Sequence, residues 1–243
     1  MHISRRSLLP LLSLALGSTV LVTALPIAAQ ASVKNPTAAS VIKATNKALL
    51  KQKGVHVAVN STSSGVTSTV SVDIGNGYGT EKITSGKNAV TIIVTPTWAY
   101  LSGSKTGLIS IMGLSAAQQK KVGTLWVTMK AATTPYESFS SNLTTSVLGH
   151  ILPPAKGTKF STDSTSKKNY QLTWKTAASS TAAATKSVLK ISAGSKTLPL
   201  SETITSKSGG GTTVFSKWGE HVTETAPSSK DTIAYAKVLG TTK

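Results

Sequence analysis

The chain has 243 residues, 39% apolar and 5% aromatic, with 26 basic against 8 acidic side chains and no cysteine. Without sulfur there is no disulfide scaffold, no thiolate metal site and no cysteine nucleophile. Seventy Ser and Thr make up more than a quarter of the chain, far above ordinary usage. Val, Ile, Leu and Trp nevertheless recur in periodic groups, so the composition describes a folded, β-rich chain.

Residues 1–31 read as a secretory leader: Arg5 and Arg6 form a basic start, Leu8 to Ile27 are apolar, and Ala29-Gln30-Ala31 is a small-x-small cleavage site. Cleavage is expected after Ala31, leaving a single domain over 32–243. Ser4-Arg5-Arg6-Ser7-Leu8-Leu9 also resembles a twin-arginine signal, and both export routes stay open. An uncleaved anchor fits less well, because Pro26 and small residues precede Ser32. With no cysteine to acylate, the product is expected to be exported to the cell wall or medium and not to be a lipoprotein.

After removal of the leader, 24 lysines and no arginine face all 8 acids, a formal charge of +16. Nucleic acid is not expected as a partner, since the chain is exported, lacks Arg for bidentate contacts and scatters its lysines. Lysine on exposed strands guards sheet edges and keeps the surface soluble. It also attracts an anionic membrane surface or wall polymer.

Asn35-Pro36-Thr37 opens a helix with Ala38, Val41, Ile42, Thr45 and Leu49 near one face, and Gly54 follows it. Strands come next: Val55, Val57 and Val59 alternate with His56, Ala58 and Asn60, and Val70, Val72 and Ile74 with Ser71 and Asp73. Gly75-Asn76-Gly77 is a hairpin turn, and Ser85-Gly86-Lys87-Asn88 turns the chain again. Residues 89–94, 98–101 and 125–129 are strand-like, with a short helix expected around Ser115 to Lys121.

Thr134-Pro135-Tyr136-Glu137 predicts a capped helix, with Thr134 capping, Pro135 first and Glu137 reaching back. Tyr136, Phe139, Leu143, Val147 and Ile151 then form one stripe of that helix until Pro153-Pro154. From Gly157 the pattern is a meander of short strands at 159–162, 170–175, 187–192, 198–206, 212–218 and 220–225. Gly209-Gly210-Gly211 reads as a hairpin loop, and the tail is expected to pack Ile233, Tyr235 and Val238 back on the body.

About ten strands with two or three helices predict an α+β fold with an antiparallel sheet, because parallel strands each need a long crossover. Helices apolar on one stripe must bury it against that sheet, which then curves around them. So few aromatic residues are predicted to leave an apolar cavity on the concave side. Its expected wall comprises Ile93, Trp98, Tyr100, Trp126, Tyr136, Phe139, Leu143 and Leu148, residue types that also serve as ordinary core.

Catalysis finds little support. There is no Gly-x-Ser-x-Gly elbow. Ser-x-x-Lys pairs occur at Ser40/Lys43, Ser102/Lys105, Ser164/Lys167 and Ser187/Lys190, but about three are expected by chance at this composition. His221 and Glu224 would point to opposite faces of a strand, which disfavours a shared metal. Asp73, Glu81, Asp163 and Glu202 are dispersed. No enzyme, metal or cofactor is expected.

Lys53-Gly54-Val55-His56-Val57, Gly75-Asn76-Gly77, Trp98-Ala99-Tyr100-Leu101, Gly123-Thr124-Leu125-Trp126-Val127, the helix from Thr134, Leu198-Pro199-Leu200, Phe215-Ser216-Lys217-Trp218-Gly219 and Ala226-Pro227 together resemble the LppX/LprG-type, LolA-like envelope proteins of actinobacteria. The resemblance covers nearly all of 32–243 through short, variable motifs. It implies a half-open antiparallel β-barrel with helices across its mouth. It also implies a non-enzymatic binder or carrier of an acylated lipid or lipoglycan. The chain departs from that pattern in lacking the lipobox cysteine. A basic structural or adhesive wall protein binding anionic polymer is the alternative reading.

Overall fold

The computed structural model describes residues 33, 35–163, 168–179 and 183–240. The expected leader and its cleavage site lie outside them. Within them the chain opens on α1 (Ala38–Leu49), whose start is fixed by a reciprocal cap between Thr37 and Ser40. This satisfies N–H groups that a helix start otherwise leaves unpaired. Its buried stripe is Val41, Thr45, Ala48 and Leu49.

Among the described residues twelve strands form one unclosed, strongly curved sheet. The first five are β1 (Val55–Ser63), β2 (Val66–Ile74), β3 (Gly79–Ser85), β4 (Asn88–Val94) and β5 (Trp98–Gly103). After α2 (Lys105–Met112) and α3 (Ala116–Val122) come β6 (Trp126–Lys130) and α4 (Thr134–Ser140). The second arm is β7 (Lys159–Thr162), β8 (Asn169–Thr176), β9 (Thr185–Ser192), β10 (Pro199–Ser206) and β11 (Gly209–Ser216). The chain ends in β12 (Thr232–Ala234) and α5 (Tyr235–Leu239). The spatial order is β12-β6-β5-β4-β3-β2-β1-β11-β10-β9-β8-β7, with every pairing antiparallel except β12 on β6. The two arms therefore join where β1 meets β11.

One side of the sheet faces the helices. Val57, Val72, Glu81, Ile92, Leu101 and Val127 pair in one row across the six strands β1 to β6 on that side and are buried. Helix α2 lies close against β4, since a Cβ at Gly107 would stand 2.6 Å from Val90 Cγ2. Helix α4 packs over β5 and β6, and α5 over β6 and β12.

Four local expectations are corrected. The helix from Thr134 ends at Ser140 and resumes as a 3-10 turn over Thr145–Ile151. Between them Gly77 N–H donates to Leu143 O (3.0 Å) and Thr144 bridges Gly75 and Asn76, interrupting the helical ladder. The cap is Thr133, without a side-chain bond to the helix, because its hydroxyl donates to Lys130 O at 2.7 Å. Gly209-Gly210-Gly211 lies inside β11, not in a loop, because the backbones approach too closely for side chains: Cβ atoms at Gly209 and Gly210 would stand 2.0 Å from Thr62 O and 2.6 Å from Ile204 O. Residues 220–225 are not a strand. Apolar α2 was not expected as a helix, although Ser104 caps it by accepting from Gly107 N–H.

Residues 217–231 instead form a strap: Trp218 at its start stacks on Phe215 at 6.0 Å, and the stretch that follows lies over the sheet's outer side. Gly219 N–H donates to Gly54 O at 2.8 Å, and a Cβ at Gly54 would lie 2.5 Å from Glu220 O. Farther on, Thr80 Oγ1 donates to Glu224 Oε2. The strap delivers β12 to β6, and Val238 is fully buried behind it. The tail packs on the body as predicted, with Ile233 and Tyr235 partly buried against the core.

Candidate functional site

Alternation sorts the eight predicted wall residues by side of the sheet. Because Ile92, Leu101 and Val127 point to the helices, their neighbours Ile93, Tyr100 and Trp126 point outward, as does Trp98. Tyr100 is buried nonetheless, while Trp98 is 37% exposed. Tyr136, Phe139, Leu143 and Leu148 come from α4 and the following turn, and all four are buried in the common core. The structure thus brings the helical half of the set together and puts the strand half on the opposite surface. Tyr136 is fixed by donating its hydroxyl to Thr95 O at 2.9 Å, and burial raises its pKa.

Beside α4 lies an open groove of about 460 Å³, lined by Asn76, Gly77, Tyr78, Pro96, Tyr136, Ser140, Ser141 and Thr144. Its walls carry no charge. It sits where the β2–β3 and β4–β5 turns meet the helices, at one end of the curved sheet.

The second arm holds a different arrangement on the helix-facing side. Leu172, Leu189 and Ile191 are fully buried there, and Phe215 nearly so. Among them Glu202 of β10 stands directly between Leu189 of β9 and Thr213 of β11. Its exposure is 8%, and among the described residues nothing bonds it. Burial alone pushes its carboxyl up to about 7 from 4.5, because desolvation penalises the charged form. Ser187, 4% exposed, faces the same side opposite Ile204, two positions along β10 from Glu202. Directly opposed side chains on one face have Cβ atoms about 5 Å apart and diagonal ones about 7 Å. Buried Ser187 and Glu202 and half-buried Thr213 therefore form a polar island in an apolar wall, with no side-chain hydrogen bond to any described residue. On the helix side, Thr45 Oγ1 is, among the described residues, the side-chain polar atom that is fully buried without a partner.

The outer side contrasts with this. His56 Nδ1 lies 2.7 Å from Asp73 Oδ1, and Asp73 and Lys82 act on Glu224 in opposite senses. His221 is exposed, three residues from Glu224 in the irregular strap. Among the described residues no three metal-ligating side chains cluster, and no helix is long and apolar enough to cross a membrane.

Glu202 was legible in outline. Leu200, Glu202 and Ile204 share strand parity, so one acid interrupts an apolar face. What the sequence could not reveal is that β9 and β11 bring Leu189 and Thr213, neither of them a cation, against it.

No family model matches the chain, and no curated protein does. Among solved structures it is similar to the lipoprotein LppX of Mycobacterium tuberculosis, at 19% identity over 78% of this chain and 99% of that one, with a TM-score of 0.44. It is also similar to LprF of Mycobacterium bovis, at 14% identity over 79% and 97%, with a TM-score of 0.49. The likeness is one of fold, an unclosed curved sheet with helices on one side, and identities and scores of this size carry no function to this chain.

Proposed function

We propose that the chain is a secreted, non-enzymatic carrier that holds an acylated envelope lipid or lipoglycan between the sheet and its helices. One observation carries this reading: the interior is largely apolar, yet Ser187 and Glu202 on the sheet are buried with no side-chain hydrogen bond to a described residue, and Thr45 Oγ1 on α1 is fully buried without a partner. An unmade buried bond costs about 1–3 kcal/mol, and small-molecule sites are mostly apolar with a few placed polar groups. Each acyl methylene buried there would contribute about 0.8 kcal/mol. The helical residues Tyr136, Phe139, Leu143 and Leu148 form the wall opposite the sheet, and the neutral groove beside Tyr136 offers a place for a sugar or other uncharged head group.

Native mass spectrometry of the exported protein from its own host tests this. A co-purifying acylated species, or stoichiometric loading from lipid extract, is the expected outcome. Repeated failure to find or load any lipid would overturn the carrier.

A specific feature favours the second reading as well. Lys175 and Lys186 stand directly opposite each other on β8 and β9, both exposed, and like charges so placed repel. An anionic wall polymer or membrane surface would relieve that repulsion. This version expects wall association that salt abolishes and that conservative changes at Phe139 leave intact.

A further inference from the structure

The carrier reading leaves open what, besides apolar bulk, the interior selects. The polar island constrains it. Glu202 supplies a carboxyl, and Ser187 and Thr213 supply hydroxyls that both donate and accept. The side chains around them on the sheet are Leu172, Leu189, Ile204 and Phe215, and no charged group acts on Glu202. An anionic head group set here would meet a second acid with no cation to neutralise either. An ammonium would need a desolvated ion pair, which burial already disfavours at this carboxyl. A neutral hydrogen-bond donor meets neither obstacle.

Resting on the carrier reading, we infer that Glu202, with Ser187 and Thr213, is the polar seat of the ligand site and takes a hydroxyl borne on an otherwise apolar acyl chain. The anionic part of such a ligand, where it has one, lies elsewhere, toward the lysine-bearing surface. The recognised feature is thus a mid-chain substituent, and the selectivity is between hydroxylated and plain chains of equal length.

The test uses the full exported protein and neutral probes: methyl stearate and a set of methyl hydroxystearates that differ in hydroxyl position. Retention is read by native mass spectrometry and by competition. The wild type is expected to hold at least one hydroxylated ester about tenfold more tightly than methyl stearate, as one buried hydrogen bond provides. In Glu202→Leu the ratio falls to about one, whatever the absolute affinity, whereas Glu202→Gln, which still accepts and donates, keeps most of it. Ser187→Ala and Thr213→Val each lower the ratio by a few fold, and serve if the Leu variant proves unfolded by urea titration. A wild-type ratio of one across the whole set, or a ratio that survives Glu202→Leu, overturns the inference while leaving the carrier standing. Failure of every ester, methyl stearate included, to bind overturns the carrier and the inference together.

Discussion

Two glutamates on opposite sides of one sheet show how differently its surfaces are built. Both have carboxyl pKa values raised by burial. Glu224, on the outer strap, accepts a bond from Thr80 and is drawn back toward ionisation by Lys82. Glu202, on the inner side, has no such help. The outer contacts have a structural purpose that is complete within the chain: they pin a connection that must cross the sheet to reach β6. The inner group has none that the protein itself fulfils, which is why it is read as part of a site.

The largest effect expected from this contrast is in packing. Leu172 faces inward, fully buried, and Val214 faces outward at 44% exposure. Leu172→Ala should cost about 3 kcal/mol in urea unfolding, within the usual range for a buried leucine, with little recovery by collapse. Val214→Ala should stay within about 0.5 kcal/mol. Equal costs would mean that the two sides are not distinct.

Next is the pH dependence of the inner carboxyl. Its folded pKa of about 7 lies above the ordinary 4.5, so the folded state binds more protons than the unfolded state between these values. Stability from this group is therefore fully present below about pH 4.5, declines as pH rises through 7, and is flat beyond. The drop is roughly 3 kcal/mol by linkage. Glu202→Gln should remove that slope in denaturation midpoints taken from pH 4.5 to 8; an unchanged slope would place the carboxyl in water. Bound ligand that hydrogen-bonds the group should shift the curve as well.

Third is the strap. A Cβ at Gly54 would meet Glu220 O and Val222 Cγ2, at 2.5 and 2.9 Å. Gly54→Ala should cost about 1–3 kcal/mol and speed proteolysis within 219–228, without altering lipid selectivity. A strap that stays protected would show that Gly54 is not its seat.

Much of this was legible in the residues. The alternation of Val55, Val57 and Val59, and of Val70, Val72 and Ile74, predicts both the strands and their buried side. The tail's return was visible in Ile233, Tyr235 and Val238. What failed did so for non-local reasons. Residues 220–225 alternate like a strand, but both edges of β11 are already occupied, by β1 and β10, so the segment crosses over as a strap instead. Gly209-Gly210-Gly211 looks like a loop until β1 and β10 press on it from both sides. Ile93, Tyr100 and Trp98 are large and apolar, which suggested interior wall, yet strand parity sets them outward. Tyr100 is buried there all the same. The island at Glu202 required the registers of β9 and β11, which no single strand contains.

The smallest predicted effect concerns Glu224. Burial raises its pKa, and so does Asp73, while the Thr80 bond and Lys82 lower it. Asp73 in turn lies against His56, Oδ1 to Nδ1 at 2.7 Å. The net direction is upward, and stability from this group should decline as pH rises, but water reaches the strap and screens the penalty. Glu224→Gln keeps an acceptor for Thr80 and should change the unfolding midpoint by no more than about 0.5 kcal/mol, with the pH slope nearly that of the wild type. Were this variant instead to flatten the slope as Glu202→Gln is expected to, the outer carboxyl would be the desolvated one, and the assignment of a functional inner side and a structural outer side would have to be exchanged.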